Sequence, residues 1–471
     1  MIMKILLTLF LTLCFLGNSY AKTISGKVFN AGKGLSGVVV TDGKYFTVTD
    51  SKGVYSLKVS KDAEHIYIVT PSGYIPACKG GTPLFYRDLN GSDFEFELYE
   101  FGVPGGSYRL LAVGDPQPKG DNAFYRLEHE AFADLREMGK KCRAKNLPVF
   151  SIFLGDILYD NLNLYPHIQE MMHNIQMPVW PVIGNHDHDM NVTEDLASSR
   201  EYSNHFGPTY YAFNAGKDYY IVLDNILYNG IENYKEGLDS RQINWVKDYL
   251  KYVPKESHIF VAMHAPVFFY RWKDYKMVMA DEFIDLFKDY KVTVISGHTH
   301  IQYNYEINEN MREFNIASVG GAWWVWDIMY SRDGTPCGYQ VFDSNHKGIT
   351  NFWKSTGKPE DYQMKVYPVG TVKGHLNDIC VKVWNWDNRW KVEWYEDNEY
   401  RGDMKQYSGK DPDYHTALQM GYALNGGKGA VSAIPDSYFY FSATPSGNAG
   451  VVKIVVTDAS GKKYTEEIDL K

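Results

Sequence analysis

The sequence predicts an α/β fold in the centre of the chain and a small all-β domain at each end. A chain of 471 residues is longer than a single hydrophobic core usually accommodates, so it should form two or three domains. Residues 23–100, and those after about 345, show short alternating apolar runs separated by turns, which predict strands. Between them, apolar strands alternate with amphipathic helices, the pattern of an α/β domain.

The first 21 residues predict a cleaved export signal. Lys4 precedes an apolar run over residues 5–16. Ser19-Tyr20-Ala21 fits the small-x-small pattern that precedes a cleavage site. A membrane anchor is the weaker alternative, because this run is shorter than the roughly 20 residues that span a bilayer. We therefore expect a periplasmic or secreted bacterial protein with no membrane-spanning segment after signal cleavage.

Composition restricts the functional classes. The formal charge of -9 argues against nonspecific nucleic-acid binding, so no nucleic-acid partner is expected. Hydrophobic residues form 44% of the chain, enough for packed cores without long disordered segments. In an oxidising compartment Cys78, Cys142, Cys337 and Cys380 could pair in three ways or remain free.

The domain over residues 22–103 is predicted to be a β-sandwich. Alternating runs predict strands at 24–28, 37–41, 45–49, 54–59 and 65–70. The segment 37–57, with its Thr-Asp-Gly and Asp-Ser-Lys-Gly turns, resembles the carboxypeptidase-regulatory-like sandwich of exported bacterial proteins.

The central domain is predicted to cover residues 104–345, and a C-terminal β-sandwich residues 346–471. The centre begins with a strand at 109–113, a helix near 122–145 and a strand at 149–154. Further strands are predicted at 179–183, 219–223, 258–263 and 292–296, with helices near 241–252 and 281–290.

Five polar segments each follow a predicted strand of the central domain. They are Gly114-Asp-Pro-Gln117, Gly155-Asp-Ile-Leu-Tyr-Asp160, Gly184-Asn-His-Asp187, Met263-His264 and Gly297-His-Thr-His300. Ligands of open α/β sheets bind outside the carboxyl ends of the strands, so these segments should share one cleft.

The residue types in these segments predict a metal site. Oxygen and imidazole ligands suit first-row divalent metals or iron, and two ions about 3.5 to 4 Å apart can activate a phosphoryl group. Seven ligands from these five strand ends would serve two ions.

The order and spacing of these segments resemble the calcineurin-like metallophosphoesterase superfamily across roughly residues 107–345. The resemblance implies a central β-sandwich flanked by helices and a dinuclear centre of Mn, Fe or Zn, as a divalent or mixed-valence pair. It implies that Asp115 and His300 bind the first ion, that Asp156 bridges, and that Asn185, His264 and His298 bind the second. A metal-bridging hydroxide would then attack a small phosphorylated substrate.

The same resemblance implies catalytic roles for two residues that are not ligands. His186 would lie over the leaving group as a proton donor or charge stabiliser. Asp187, its neighbour in the chain, could orient it. Phosphomonoesters and phosphodiesters are both compatible with these roles.

Gln117 departs from the commonest form of the superfamily, which has histidine at this position. Members that cleave nucleotide diphosphate bonds resemble this chain in having glutamine there, so nucleotide diphosphate hydrolysis is an alternative activity. An amide oxygen can coordinate a metal, and the other interpretation of Gln117 is a hydrogen bond to a ligand.

Tyr159 is the second departure. Purple acid phosphatases carry an iron-binding tyrosine three residues after the bridging aspartate, which raises an iron-tyrosinate alternative. A tyrosine at a strand end more often packs or forms a hydrogen bond.

Two further questions are open from sequence alone. A noncatalytic surface-binding protein on an inactive metallophosphoesterase scaffold is an alternative to an enzyme, although every expected ligand position carries a residue able to bind metal. In Gly320-Gly-Ala-Trp-Trp-Val-Trp326, the tryptophans either stack on a substrate or, for Trp324 and Trp326, share one face of a strand.

Overall fold

The computed structural model describes residues 22–231, 233–269, 275–325, 328–424 and 434–470. The expected export signal over residues 1–21 lies outside these ranges, as does Trp326. No helix in the described ranges has the length and apolar character needed to cross a membrane. The cysteines they contain are free thiols, with Cys78 exposed and the other three buried.

The N-terminal region consists of short strands in two larger sheets and a two-stranded sheet formed by β8 and β9. One sheet has the order β2-β1-β11-β7 with β5 paired to β1, and the other has the order β10-β6-β3-β4. Alternate residues of β5, Tyr55 and Leu57, are buried, as expected for a strand with one face on the core. The strands are β1 (Thr23–Asn30), β2 (Lys33–Gly34), β3 (Val39–Thr41), β4 (Phe46–Val48), β5 (Val54–Lys58), β6 (His65–Ile68), β7 (Tyr74–Pro76), β8 (Cys78–Lys79), β9 (Thr82–Pro83), β10 (Tyr86–Asp88) and β11 (Phe96–Glu100).

The central region contains two larger sheets. Their orders are β14-β13-β12-β23-β24 and β15-β16-β19-β20-β22-β21, and a separate hairpin is formed by β17 and β18. All six residues of β13 are buried, as expected for a parallel strand covered on both faces. The strands are β12 (Tyr108–Val113), β13 (Val149–Leu154), β14 (Val179–Val182), β15 (Tyr211–Ala215), β16 (Asp218–Val222), β17 (Ile226–Tyr228), β18 (Tyr234–Glu236), β19 (His258–Ala262), β20 (Lys291–Ser296), β21 (Tyr303–Asn308), β22 (Met311–Asn315), β23 (Gly338–Asn345) and β24 (Gly348–Ser355).

Helices flank these two sheets, which confirms the predicted α/β class. They are α1 (Asp121–Arg126), α2 (Phe132–Arg143), α3 (Tyr165–Asn174), α4 (Asp195–Ser198), α5 (Arg200–Phe206), α6 (Ser240–Tyr249) and α7 (Ala280–Leu286). A π-helical turn joins α1 to α2, so the helix predicted near 122–145 is present with an internal irregularity. Its apolar stripe, Leu135, Met138 and Cys142, is buried in one core with Phe153 of β13.

The C-terminal region is a two-sheet sandwich. The sheet orders are β25-β26-β30-β29 and β28-β27-β31-β32. Val381 and Val383 from one sheet share a buried core with Ile454 and Val456 from the other. The elements are β25 (Met364–Tyr367), β26 (Ile379–Val383), β27 (Lys391–Glu396), β28 (Glu399–Asp403), β29 (Lys405–Gly409), α8 (Pro412–Leu424), β30 (Ser437–Ala443), β31 (Val451–Thr457) and β32 (Lys463–Asp469).

The predicted boundary between residues 345 and 346 falls within a hairpin. Strands β23 and β24 pair from Gly338 with Ser355 to Asn345 with Gly348, and β23 also pairs with β12. The central sheet therefore extends to Ser355. The polar turn at this position ends a strand, and sequence alone did not distinguish that turn from a domain border.

The two flanking domains contact the centre in different ways. On the N-terminal side, the Phe85 ring lies 5.5 Å from Trp180 and 4.4 Å from Tyr211, within one continuous apolar core. On the C-terminal side, Lys382 Nζ lies 3.2 Å from Asp333 Oδ2, and both side chains are buried. The N-terminal domain thus shares the central core. The C-terminal domain contacts the centre through this buried ion pair and also through apolar packing, since Trp384 belongs to the central core and Tyr414 packs with Ala322 and Ile328.

Candidate metal centre

Five loops that follow parallel strands meet at one edge of the two central sheets. Asp115 follows β12, Asp156 follows β13, Asn185 follows β14, His264 follows β19 and His298 follows β20. Because the strands of each sheet run in the same direction here, their carboxyl ends deliver these side chains to a common cleft.

The backbone of this cleft contains an unusual number of left-handed residues. The φ angles are 44° at Asp115, 48° at Asp156, 69° at His298 and 55° at His300. Such conformations are uncommon for residues other than glycine and concentrate at functional sites. At Gly184, a Cβ atom would lie 2.3 Å from Asp156 Oδ1, so only glycine permits this approach.

A compact cluster of polar side chains forms the centre of the site. Ligand atoms of Asp115, Asp156 and His264 lie within 4.8 Å of one another, and all three residues are buried. His264 Nε2 lies 3.0 Å from Asn185 Oδ1 and 3.1 Å from His298 Nδ1.

His300 and Gln117 adjoin the same cluster. His300 Nε2 is 3.5 Å from Asp115 Oδ1. Gln117 Nε2 donates a hydrogen bond of 2.8 Å to Asp156 Oδ2, while its Oε1 is buried with no hydrogen-bond partner in the described part of the chain. The structure therefore brings all seven candidate ligands together, and Gln117 keeps an acceptor oxygen for a cation.

The histidine tautomers fit a bound cation. His264 Nδ1 lies 2.7 Å from the Leu154 carbonyl oxygen, which can only accept, so Nδ1 carries the proton and Nε2 presents a lone pair. His298 Nε2 lies 3.4 Å from Glu236 Oε1, which places the proton on Nε2 and the lone pair on Nδ1. The two nitrogens that carry these lone pairs are 3.1 Å apart, so both would be able to ligate one ion.

The two buried carboxylates also fit a bound cation. Asp115 is 0% exposed and Asp156 is 2% exposed. Among the described residues, their ion-pair partners are histidines, with neither lysine nor arginine at ion-pair distance. Burying two negative charges without a compensating cation costs several kcal/mol. Divalent ions supply that compensation, and the oxygen and imidazole set suits them.

Asp160 is the carboxylate that contacts His186. Its Oδ1 lies 2.6 Å from His186 Nδ1, and the backbone N–H of His186 donates to Asp156 Oδ1 at 2.9 Å. Burial lowers the pKa of His186, but the negative charges of Asp156 and Asp160 outweigh it and raise the pKa overall. The imidazole is therefore held in place by Asp160 through Nδ1.

Asp187, which we expected to orient His186, has a different position. It is fully buried and accepts hydrogen bonds from the backbone of Gly184 at 2.9 Å and of Ile157 at 3.1 Å. Burial and then the charge of Asp156 raise the pKa of Asp187 to about 7. The expectation for Asp187 is corrected, because this side chain ties together the loops after β13 and β14 instead of contacting the imidazole.

Tyr159 lies against the face of His186. The two rings stack with centroids 4.5 Å apart and planes 21° from parallel, and Lys119 Nζ lies 4.2 Å from the Tyr159 centroid. The phenol ring thus serves as a stacking surface, which favours the packing interpretation over an iron-tyrosinate bond.

Glu236 is a site residue that sequence reasoning missed. It ends β18, and besides His298 it accepts a hydrogen bond from Tyr275. Burial opposes ionisation, but the hydrogen bonds from His298 and Tyr275 lower the pKa of Glu236 to about 2. Glu236 does not follow one of the parallel strands that carry the ligands, so no sequence motif marks it. The folding of the β17–β18 hairpin brings it to the cleft.

Buried polar side chains hold the loops that carry the ligands. Asn225 forms two hydrogen bonds with Ala265, the residue after His264, through the backbone N–H at 3.0 Å and the carbonyl at 2.7 Å. Glu313 accepts hydrogen bonds of 2.9 Å from the backbone of Val267 and from Ser296 Oγ. Burial raises the pKa of Glu313 to about 7.

The tryptophan segment forms a turn, so the expectation of a strand is wrong for its described residues. Trp323 and Trp324 have φ angles of 54° and 57°. Trp324 is buried and its Nε1 donates to the Pro116 carbonyl at 2.7 Å, which fixes the loop between Asp115 and Gln117. The ring of Trp323 lies 4.7 Å from that of His300 and forms part of the wall of the site.

Taken together, the two central sheets, the five strand-end loops and the Asp, Asn and His cluster define a metal-dependent hydrolase of phosphoester bonds. Three family models match the chain. They are the N terminal of calcineurin-like phosphoesterase at residues 22–102, calcineurin-like phosphoesterase at residues 108–302, and the C terminal of calcineurin-like phosphoesterase at residues 313–464. The chain belongs to the calcineurin-like phosphoesterase family, with the three-part arrangement expected from its sequence.

Solved structures with similar folds are distant in sequence. A dimetal phosphatase from Danio rerio is 15% identical, with a TM-score of 0.35, over 53% of this chain and 98% of its own. A purple acid phosphatase from yellow lupin seeds is 12% identical, with a TM-score of 0.38, over 74% and 66%. A 5'-nucleotidase from Candida albicans is 14% identical, with a TM-score of 0.34, over 54% of each chain. No curated protein sequence matches the chain. The family assignment therefore rests on the family models and the site.

Proposed function

We propose that this enzyme hydrolyses a small phosphorylated substrate at a dinuclear metal centre without forming a covalent enzyme intermediate. The observation that carries the proposal is the buried cluster of Asp115, Asp156 and His264, whose negative charge has no lysine or arginine partner among the described residues. Two divalent ions held there would polarise the phosphoryl group and supply the nucleophile.

The candidate ligands would be divided between two ion positions. Asp115 and His300 would hold one ion, and Asp156 would be shared between this ion and the second. Gln117, which contacts Asp156, would be a further ligand. Asn185, His264 and His298 are placed to hold the other, because their ligand atoms approach within about hydrogen-bonding distance. Glu236 fixes the ring of His298 so that Nδ1 faces the second position.

His186 would protonate the leaving group. Its imidazole, held at Nδ1 by Asp160, is placed to donate a proton to the leaving oxygen. This role predicts the largest benefit for esters with poor leaving groups, which depend most on protonation.

The first experiment measures metal content, visible absorption and hydrolysis of an aryl phosphate monoester and diester by the purified protein with added Mn. Two bound ions and a rate abolished by chelator would support the proposal, and the preferred ester would choose between phosphatase and phosphodiesterase. A visible tyrosinate band would identify Tyr159 as a ligand of iron.

The opposite result favours the noncatalytic alternative. A folded protein that binds no metal and turns over neither ester would fit a surface-binding protein on an inactive scaffold. A nucleotide diphosphate assayed in parallel tests the alternative that Gln117 raises. Hydrolysis of that compound alone would place the activity at phosphoanhydride bonds.

We also propose that the enzyme acts outside the cytoplasm, after removal of residues 1–21. This proposal is supported by the cationic start, apolar run and small-residue cleavage site in the sequence. The N-terminal sequence of protein recovered from the periplasm or medium should begin at Lys22. Recovery of the uncleaved chain from the cytoplasm alone would contradict export.

A further inference from the structure

Lys119 places an exposed cation beside the residues that face the leaving group. It lies in the loop after β12, two residues beyond Gln117. Its Nζ is 4.2 Å from the centroid of the Tyr159 ring, and that ring stacks on His186 at 4.5 Å. An ammonium, a phenol and an imidazole thus follow one another along one side of the cleft.

The base of this side chain is fixed by the loop around it. The backbone N–H of Gln117 donates to the carbonyl of Asp156 at 2.8 Å, and its amide donates to the Asp156 carboxylate. The Pro116 carbonyl accepts the hydrogen bond from Trp324. The loops that carry Lys119 and Tyr159 are therefore joined to each other, which keeps the ammonium near the same ring.

Lys119 differs from the other charged residues of the site in its ion-pair contacts. In the part of the chain that the structure describes, the ion pairs around the metal centre join carboxylates to histidines, and none of them includes Lys119. Another cation near the ligands, Arg332, donates to the Thr299 carbonyl at 2.8 Å. Among the described residues, Lys119 is the lysine whose ammonium lies over the ring that stacks on His186.

We propose that Lys119, supported by the Tyr159 ring, binds an anionic group carried by the leaving group of the substrate. The inference rests on the proposed function, because it takes His186 as the residue that protonates the leaving oxygen. A leaving group hydrogen-bonded to His186 would lie beside the Tyr159 ring, where an anionic substituent could reach the Lys119 ammonium. The substrate class is then a phosphoester whose leaving group has a second negative charge, such as a carboxylate or another phosphate.

The test compares two aryl phosphates whose leaving phenols have equal acidity. One ring carries a carboxylate and the other an uncharged carboxamide. For the metal-loaded full chain, kcat/KM should be higher for the carboxylate. Lys119→Met should lower the ratio of the two kcat/KM values by about two- to fivefold, the effect of an exposed ion pair, and Lys119→Arg should retain it. Because each ratio is taken within one protein, differences in metal content cancel.

Matched variants separate binding by Lys119 from a general loss of charge. Lys44 is another exposed lysine beside an aromatic ring, 5.5 Å from Tyr45 in the N-terminal domain, and Lys44→Met should leave the ratio unchanged. Tyr159→Phe keeps the ring and should retain the preference, whereas Tyr159→Leu removes the ring and should weaken it. A fall in ratio with Lys44→Met equal to that with Lys119→Met would overturn the proposal.

A binding measurement keeps the test informative without turnover. The corresponding pair of non-hydrolysable aryl phosphonates is titrated into metal-loaded protein by calorimetry. Tighter binding of the carboxylated phosphonate that disappears in Lys119→Met supports the proposal. Equal binding of both phosphonates by the unaltered protein overturns the Lys119 subsite alone. Binding of neither phosphonate overturns the subsite together with the proposed function.

Discussion

The floor and the rim of the metal centre differ in burial. The floor consists of Asp115, Asp156, His264 and His300, and the rim consists of Lys119, Tyr159, Asp160 and His186. Floor side chains are between 0% and 3% exposed, whereas the side chains of His186 and Asp160 are 26% and 34% exposed. Buried charge needs a buried partner, while water can satisfy exposed charge. The difference implies that the floor fixes the metal chemistry and the rim selects the ester.

The sharpest test of the floor is Asp156→Asn. Removing the charge of the residue between the two ion positions should reduce bound metal below two ions per chain. The rate should fall about a thousandfold or more, since metal ions supply several kcal/mol of transition-state stabilisation. Metal analysis and aryl phosphate hydrolysis measure both effects. Full metal content with normal activity would show that the floor does not depend on this carboxylate.

On the rim, His186→Ala should leave two ions bound and still lower the rate by about 10²- to 10⁴-fold, the usual contribution of general acid catalysis. The loss should grow as the leaving phenol becomes less acidic, because poor leaving groups need protonation most. A series of aryl phosphates measures this dependence. Equal losses across the series would argue against a proton-donating role.

The neighbouring carboxylates provide a matched pair for the same series. Asp160→Asn should show a smaller loss with the same dependence on leaving group, because Asp160 contacts the imidazole. Asp187→Asn should show no such dependence, since Asp187 binds backbone N–H groups of the ligand loops. The reverse result would restore the role first expected for Asp187.

Glu236 contacts the candidate ligand His298 and belongs to neither the floor nor the rim. Its variants therefore test whether a residue outside the floor contributes to metal binding. Glu236→Gln weakens the contact that sets the tautomer of His298 and should lower metal affinity by about 10- to 100-fold. Competition with a chelator measures the affinity. Tyr275→Phe removes only the other partner of Glu236 and serves as the control. Unchanged affinity in Glu236→Gln would place this residue outside the metal centre.

Glu313 provides the smallest expected effect and concerns stability. Burial raises its folded-state pKa from an ordinary value near 4.5 to about 7. Between these values Glu313 ionises in the unfolded chain before it ionises in the folded chain. Its contribution to stability should therefore fall by about 3 kcal/mol as pH rises from 4.5 to 7 and then remain level. Glu313→Gln should reduce this fall.

Thermal unfolding of the metal-free protein at pH 5 and pH 8 measures the pH effect. Glu467→Gln, at an exposed position, is the control and should leave the pH dependence unchanged. An equal change in stability between the two pH values in the wild type and in Glu313→Gln would show that Glu313 is not held neutral by its surroundings. Removing the metal with chelator keeps changes in metal affinity out of the comparison.

The fold class and the positions of the ligands were predictable because both depend on local patterns. Strand and helix periods are visible in the sequence, and a short polar segment after each strand marks the carboxyl edge of a sheet. The boundary after residue 345 was not predictable, since a turn within a hairpin and a linker between domains have similar composition. Pairing of β23 with β12 makes the difference.

The family, the α/β centre and the candidate ligands could be predicted from local sequence, because each ligand lies within a few residues of a strand end. The groups that surround those ligands depend on tertiary packing. Asp160 reaches His186 across 26 residues of chain, and Glu236 reaches His298 from a hairpin that carries no motif. Such contacts depend on how separate loops turn and pack. Asp187 is next to His186 in sequence but binds backbone N–H groups, whereas Asp160, distant in sequence, contacts the imidazole.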